Sequence, residues 1–362
     1  MTIAGIRRGN QFSPNHIGND AAIFSLTAEH LGKLGCKVNE YIESDLLLQD
    51  LNEKAIFNMV RDWKSIHKLQ ELEDNGHIVI NSGYGIENCT REKMTRLLLD
   101  HHIPHPTSLF LSTQTDPTQM LEEAGLDHCW IKRGDFHAIH REDVTYVRNR
   151  EEAKSILKEY AIRGIPTAVI NEHLVGDLVK FYGVTGTDFF YWFYPSNQHH
   201  SKFGLEVING TAKGIPFNQD YMQQICNEAA RVLNIHIYGG DCIVSEEGEI
   251  RIIDFNDWPS FAPCREEAAP YIARRIYELA AQSINQSIGN KLKIHDKQYK
   301  TKTNPRIDTQ VDGYRGVYRY TFLSANRISM GFVLQQIRYF SQYRYHCQYL
   351  YRSGSWSLFL SA

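Results

Sequence analysis

The chain has 362 residues, with 39 Lys plus Arg against 42 Asp plus Glu, so its net charge is −3. That length suffices for two or three domains and a sizeable core, and the near-neutral charge leaves no footprint for nucleic acid or an anionic membrane. No apolar run approaches the ~18 residues that span a bilayer, and the start MTIAGIRRGNQ lacks the apolar centre of a signal peptide.

Residues 1–105 alternate strand and helix. MTIAGI reads as a strand, DAAIFSLTAEHLGKLG as a helix stopped by Gly35, and CKVNEYI and HIVINS as two further strands. TREKMTRLLLDHH then makes a helix capped by Thr90 and broken by IPHP. Strands alternating with helices predict a parallel α/β sheet. FSPNHIGND, between the first strand and helix, sits at the crevice where α/β sheets bind ligands. Asn15 and His16 are candidate contacts for an acceptor substrate there, while Asn19 and Asp20 suit a helix cap.

From 106 to about 290 the pattern is mixed. CWIKR, TAVINEHLV, LVKFYGV and the aromatic run FFYWFY read as strands, followed by FGLEVING, and EEAKSILKEYAIRG reads as a helix. QDYMQQICNEAARVLN is an amphipathic helix, and REEAAPYIARRIYELAAQSI places Ala268, Ile272, Ile276, Leu279 and Ile284 near one face. NKLKIHDKQYKTKTNP, with five lysines and few apolar residues, predicts a flexible linker at 291–305. From Arg306 onward there is no Lys and no Glu, but seven Arg and eight Tyr. So abrupt a switch marks either an appendage or a stretch not selected together with the rest, and no chemistry is placed in it. Seven cysteines without paired spacing exclude a disulfide framework or zinc site and fit a reducing cytoplasm.

The densest chemistry lies in YGGDCIVSEEGEIRIIDFNDWPSF. DCIV and IRIIDF read as a hairpin turning at Ser245–Gly248, which sets Asp241 beside the end of its partner strand. Alternation sends Asp254 and Asn256 to one face. Three oxygen donors on a rigid hairpin suit a hard cation held together with phosphates; the plain alternative is a surface hairpin with ordinary polar residues.

Residues 78–278 resemble an ATP-grasp enzyme, most similar to the glutathione synthetase and ribosomal-protein-S6 modification ligase branch. The resemblance rests on four motifs in order: HIVINSGYGIENCTREKMTRLLLDHHIPHPTS, CWIKRGD, AVINEHLVGDLVKFYGV, and DCIV to DFNDWPSF with its thirteen-residue step from Asp241 to Asp254. It implies an N-terminal parallel α/β pre-ATP-grasp domain (1–105) and an α+β ATP-grasp domain (106–290). The latter would comprise a lid subdomain to about 170 and a metal-binding subdomain beyond it, clamping ATP between them.

By that resemblance Lys93, Lys132 and Lys180 meet phosphate oxygens, and the backbone of Val169–Leu174 meets the adenine edge. Nucleotide contacts are expected at Asn171, Glu172, His173 and Leu174, with Glu172 or Asp177 on the ribose; Asp177 serves equally as a turn aspartate. Asp241, Asp254 and Asn256 are the expected ligands of Mg²⁺, with Mn²⁺ as the alternative, and Lys132, Arg141 and Asn256 the expected catalytic set. Two departures stand out. Asp254 replaces the usual Glu, as in the inositol-phosphate kinase branch. Lys132 is followed by RGDFHAIHREDVTYV with one glycine, so His137, His140 and Arg141 replace a glycine-rich phosphate loop or are simply polar loop residues.

The implied activity is ATP-dependent joining of a small-molecule or peptide carboxylate to an amine through an acyl phosphate, in the cytoplasm, by a monomer or homo-oligomer. A kinase acting on an alcohol such as an inositol phosphate, and a nucleotide-binding protein without catalysis, are the alternatives. Arg265, after the metal motif, either meets an anionic substrate or belongs to the first turn of its helix.

Overall fold

A parallel sheet begins the fold, as the alternating pattern requires. β1 (Thr2–Arg7) pairs with β2 (Lys37–Ile42) across α1 (Ile17–Lys33), and with β3 (Ala55–Asn58). α2 (Trp63–Asp74) leads to β4 (Ile78–Ile80), giving the order β2-β1-β3-β4. The sequence reading passes over β3, because AIFN is four residues, all buried, too short for a period to register. Ile3 and Phe57 face one core while Ala4 and Ile56 face the other, so both sides of the sheet are covered. The computed structural model describes residues 1–12, 17–136, 141–195, 208–300, 317–322, 346–352 and 355–361. It forms two compact units, Met1–Ile284 and Asn285–Ala362.

After α3 (Gly83–Asn88) and α4 (Arg91–Asp100), two antiparallel sheets follow. The first contains β5 (Ser108–Ser112), β6 (Cys129–Arg133), β7 (Val144–Val147) and β8 (Thr167–Glu172) in the order β5-β8-β6-β7. Its α5 (Thr118–Glu123) and α6 (Arg150–Ile162) cover Cys129, Ile131, Ala168 and Ile170 on one face. Alternation then sends Trp130, Lys132, Val169 and Asn171 to the opposite face.

The second sheet runs β10-β9-β11-β12, built from β9 (Asp177–Val184), β10 (Phe190–Phe193), β11 (Ile237–Val244) and β12 (Ile250–Asp257). α7 (Gln219–Leu233) packs Met222, Cys226 and Ala229 on this sheet beside Met94 and Leu98 of α4. Asn218 caps α7 through Tyr221 N, and Asn234 ends it at φ 59°.

Three expectations change. Thr90 precedes α4 but makes no capping bond; its hydroxyl donates to the Glu87 carbonyl at 2.8 Å. Asn19 and Asp20 lie inside the first turn of α1, which starts at Ile17. α8 (Arg265–Lys300) continues through much of the stretch read as a linker, since Lys, Leu and Gln there are good helix formers and no proline follows Pro270 until Pro305. FGLEVING lies largely outside the described residues. In the second unit, β13 (Val317–Phe322), β14 (His346–Arg352) and β15 (Ser355–Ser361) form an antiparallel sheet in the order β13-β15-β14. Among the described residues no helix is long and apolar enough to cross a membrane.

Candidate nucleotide and metal site

The β11–β12 hairpin forms as the sequence predicts, with Asp241 directly opposite Asp254 and Gly239 opposite Asn256. The register slips between Asp241 and Cys242, leaving Ile253 as the extra residue of a bulge. That slip lets Ile252 and Phe255, three apart, both enter the core. Gly240 makes the pairing possible, because a Cβ there would lie 2.2 Å from the Asp254 carbonyl oxygen.

Cations from three separate elements converge on this hairpin. Lys180 of β9 is the register partner of Asp241 and its Nζ lies 3.0 and 3.2 Å from the two carboxylate oxygens. Lys132 arrives from the other sheet and donates to the Ile253 carbonyl at 3.0 Å, at the bulge. Arg91, the first residue of α4, forks onto Asp254 with contacts of 2.7 and 3.2 Å.

The surroundings set the charges. Burial, reinforced by Arg91, pushes the Lys132 ammonium down to about 7 from its ordinary 10.5, against the pull of Asp254 and Asp241. Burial would raise the Asp254 carboxyl, but Arg91, Lys132 and Lys180 outweigh it and hold it at about 2. His105, following the Pro104 carbonyl that accepts from Ile252 N, is pushed down to about 3 by burial, with Lys132 and Arg91 opposing its charge. It is therefore a neutral imidazole.

Lys132, Lys180, Asp241 and Asp254 thus meet at one place, and Asn256 stands on the same strand. Lys93 does not join them. It is half exposed and pairs with Glu87, and it is Arg91 that reaches Asp254. Arg91 and Lys93 are two apart near a helix start, so they cannot face the same way, and nothing in the TREK motif says which of them faces the hairpin.

Asp177 is also committed elsewhere. It is buried, and its oxygens accept from Lys213 N at 2.7 Å and Ile215 N at 2.8 Å. Its carboxylate is spent at the start of β9 on backbone 36 and 38 residues away, so it is neither an exposed acceptor nor a local turn aspartate. Glu172, a third exposed, accepts from Thr107 N at 3.1 Å and neighbours Arg251.

β8 is a central strand paired on both sides, so its backbone groups up to Glu172 are used in the sheet. Outward-facing backbone begins only at His173, and the Leu174 carbonyl accepts from Asn209. His173 Nδ1 accepts from Trp130 Nε1 at 3.1 Å, which leaves the proton on Nε2. Asn171 donates to Ser108 Oγ at 2.8 Å, while its own carbonyl oxygen and His105 Nε2 are buried without a partner among the described residues. A buried acceptor on the face of β8 opposite α5 and α6 suits a donor from a ligand.

Arg141 starts a short turn before β7, and its side chain lies outside the described residues, as do His137, His140, Asn15 and His16. Arg265 donates to Asn19 Oδ1 at 2.9 Å, bridging α8 to α1.

The donor set Asp241, Asp254 and Asn256 is all oxygen, which fits a hard cation completed by phosphate and water. Among the described residues no cluster of three or more His, Cys, Asp or Glu is arranged for a metal. The two carboxylates therefore fit such an ion only together with ligands from outside the chain.

No protein-family model matches the sequence, and no curated protein does. Solved structures do match. D-alanine–D-alanine ligase from Bacillus anthracis, complexed with ATP, superposes with a TM-score of 0.60 at 14% identity over 79% of this chain and 99% of the ligase. The D-alanine–D-alanine ligase from Coxiella burnetii gives 0.57 at 13% identity, covering 81% and 98%. D-alanyl-alanine synthetase A from Vibrio cholerae gives 0.56 at 11%, covering 78% and 98%. The chain has the ATP-grasp fold of these ligases. The matches do not single out the glutathione synthetase and S6-modification branch that its motifs resemble.

Proposed function

We propose that the protein is an ATP-dependent carboxylate–amine ligase of the ATP-grasp type, working with Mg²⁺ or Mn²⁺ in the cytoplasm. The observation that carries this is the meeting of Lys132, Lys180 and Arg91, from three elements, on the facing pair Asp241 and Asp254. A basic cluster around two carboxylates suits a polyphosphate with its metal, and the ligases sharing the fold supply the reaction class. The finer resemblance to the glutathione synthetase and S6-modification branch rests on the four motifs alone.

In this reading Lys132, Lys180 and Arg91 orient the triphosphate and neutralise charge as the γ-phosphoryl group moves to a substrate carboxylate. Asp241, Asp254 and Asn256 would hold the metal, which would supply further charge neutralisation beside the phosphates. The orphaned Asn171 oxygen and the backbone beyond Glu172 take the base, and Glu172 takes the ribose. The sheet carrying Lys132, with Arg141 in the loop after it, covers the phosphates. An amine then displaces phosphate from the acyl phosphate, so no side-chain nucleophile is needed.

The test is release of ADP and phosphate from Mg-ATP with pools of amino acids, dipeptides and inositol phosphates, beside an Asp254→Ala, Asn256→Ala control. Free phosphate released only when carboxylate and amine are both present supports the ligase. ADP without free phosphate, accompanied by a phosphorylated alcohol, makes the protein a kinase instead.

A further inference from the structure

Both carboxylates of the site are already matched by cations. Arg91 contacts each oxygen of Asp254, at 2.7 and 3.2 Å, and Lys180 contacts each oxygen of Asp241, at 3.0 and 3.2 Å. Lys132 adds a third basic side chain on the adjoining Ile253 carbonyl. Each carboxylate is neutralised by its own cation, so a divalent cation approaching alone meets little net attraction and finds its oxygens taken. A polyphosphate reverses this, because it offers the cations stronger partners and brings oxygens of its own.

We propose that Arg91 makes metal capture conditional on the polyphosphate: it closes on Asp254 when the site is empty and passes to phosphate oxygens when nucleotide arrives, releasing Asp254 for the metal. This rests on the reading of the site as one for ATP, and adds an order of events and the residue that imposes it. The fork geometry favours Arg for the exchange. A planar guanidinium engages carboxylate and phosphate in the same bidentate manner, whereas a lysine offers a point charge. Its place at the start of α4 fits as well. The main chain of Arg91 is anchored there by the helix, and Glu92 N donates to Gly134 O at 3.0 Å, just beyond Lys132. Movement of the strand bearing Lys132 is thereby tied to the residue beside Arg91.

The experiment follows free Mn²⁺ by electron paramagnetic resonance during titration into the full-length protein, with and without a non-hydrolysable ATP analogue. Wild type is expected to leave the Mn²⁺ signal free without analogue and to bind the ion at least ten-fold more tightly with it. Arg91→Met is expected to bind Mn²⁺ alone, at least ten-fold more tightly than wild type, and to bind the analogue at least ten-fold more weakly. Arg91→Lys, which keeps the charge without the fork, should fall between. Wild type binding Mn²⁺ equally well with and without analogue overturns the gate, and this comparison needs no variant to fold. Analogue affinity, measured separately by calorimetry in the presence of a chelator, tests the underlying reading. If the analogue binds but Mn²⁺ is captured without it, only the gate fails; if the analogue never binds, the assignment of an ATP site fails with it.

Discussion

The Lys132 ammonium lies 3.0 Å from the Ile253 carbonyl, joining the β5–β8 sheet to the strand that carries Asp254. Its pKa is about 7 rather than 10.5, mainly through burial. Above pH 7 the folded chain therefore holds Lys132 neutral while the unfolded chain still binds the proton, up to 10.5. The burial penalty on stability is full below pH 7 and lightens as pH rises through that window. Phosphate brought beside it favours the charged form. Nucleotide binding at pH 8 should thus take up close to one proton, and affinity should fall as pH rises above 7. Calorimetry in buffers of different ionisation enthalpy reads the uptake directly, and Lys132→Met should abolish it. Wild-type binding with no proton uptake at pH 8 would count against this role.

Asp254 has the opposite linkage. Its folded pKa of about 2 lies below the ordinary 3.8, so its contribution to stability is present above 3.8 and lost as pH falls toward 2. Asp254→Asn leaves Arg91 without its charge partner, which for a fully buried pair costs ~3–5 kcal/mol. A quarter of the Asp254 side chain is exposed, so about 2 kcal/mol is expected here. Chemical denaturation at pH 7 should show that loss, and the difference between variant and wild type should shrink by pH 2.5. A pH-independent difference would mean that the pair is not what stabilises this corner.

Asp177 and Lys93 are expected to matter little for nucleotide. Asp177→Ala removes both acceptors for Lys213 N and Ile215 N, a loss of about 2–3 kcal/mol. Lys93→Ala breaks only a partly exposed pair with Glu87, which keeps its bond from Gln70, and should leave stability near wild type. Neither should alter the dissociation constant for an ATP analogue more than about three-fold, whereas Lys180→Ala should weaken it by ten-fold or more, at ~1.4 kcal/mol per decade. A Lys93→Ala defect as large as that of Lys180→Ala would restore the lysine to the phosphates.

How much of this was legible in the sequence depended on range. The hairpin pairing Asp241 with Asp254 was legible, because two apolar strands and a Gly-containing turn are local signals. Lys132 was legible as a buried strand lysine for the same reason. Arg91 was not: its partner lies 163 residues away, and nothing local separates it from Lys93 in the TREK motif. The bulge at Ile253 was equally hidden, since it depends on how β11 and β12 settle around Gly240. Asp177 was hidden for the same reason as Arg91, since the two backbone N–H groups that hold it lie 36 and 38 residues further on.

Arg8 helps to fix the position of the strand that carries Asp254 and Asn256. Its side chain, largely buried, donates to the Met59 carbonyl at 3.1 Å, to Asp20 at 3.0 Å and to the Trp258 carbonyl at 3.0 Å. The last bond reaches the residue just after β12, where Trp258 is held at φ 28° and stacked on Phe57. Arg61 reinforces the same place by pairing with Asp257 and donating to its carbonyl. Arg8→Met strands the Asp20 carboxylate and frees a strained turn, at a cost of about 3–5 kcal/mol. For a unit of this size that corresponds to a melting temperature lower by roughly 6–12 °C. Arg8→Lys keeps the charge but not all three bonds and should lose about half as much. Because the freed turn leads directly from Asn256, Arg8→Met should also lower turnover more than it weakens nucleotide binding, read as kcat against the dissociation constant of an ATP analogue at 20 °C. Equal effects on both would mean that Arg8 supports the fold without positioning the strand of Asp254 and Asn256.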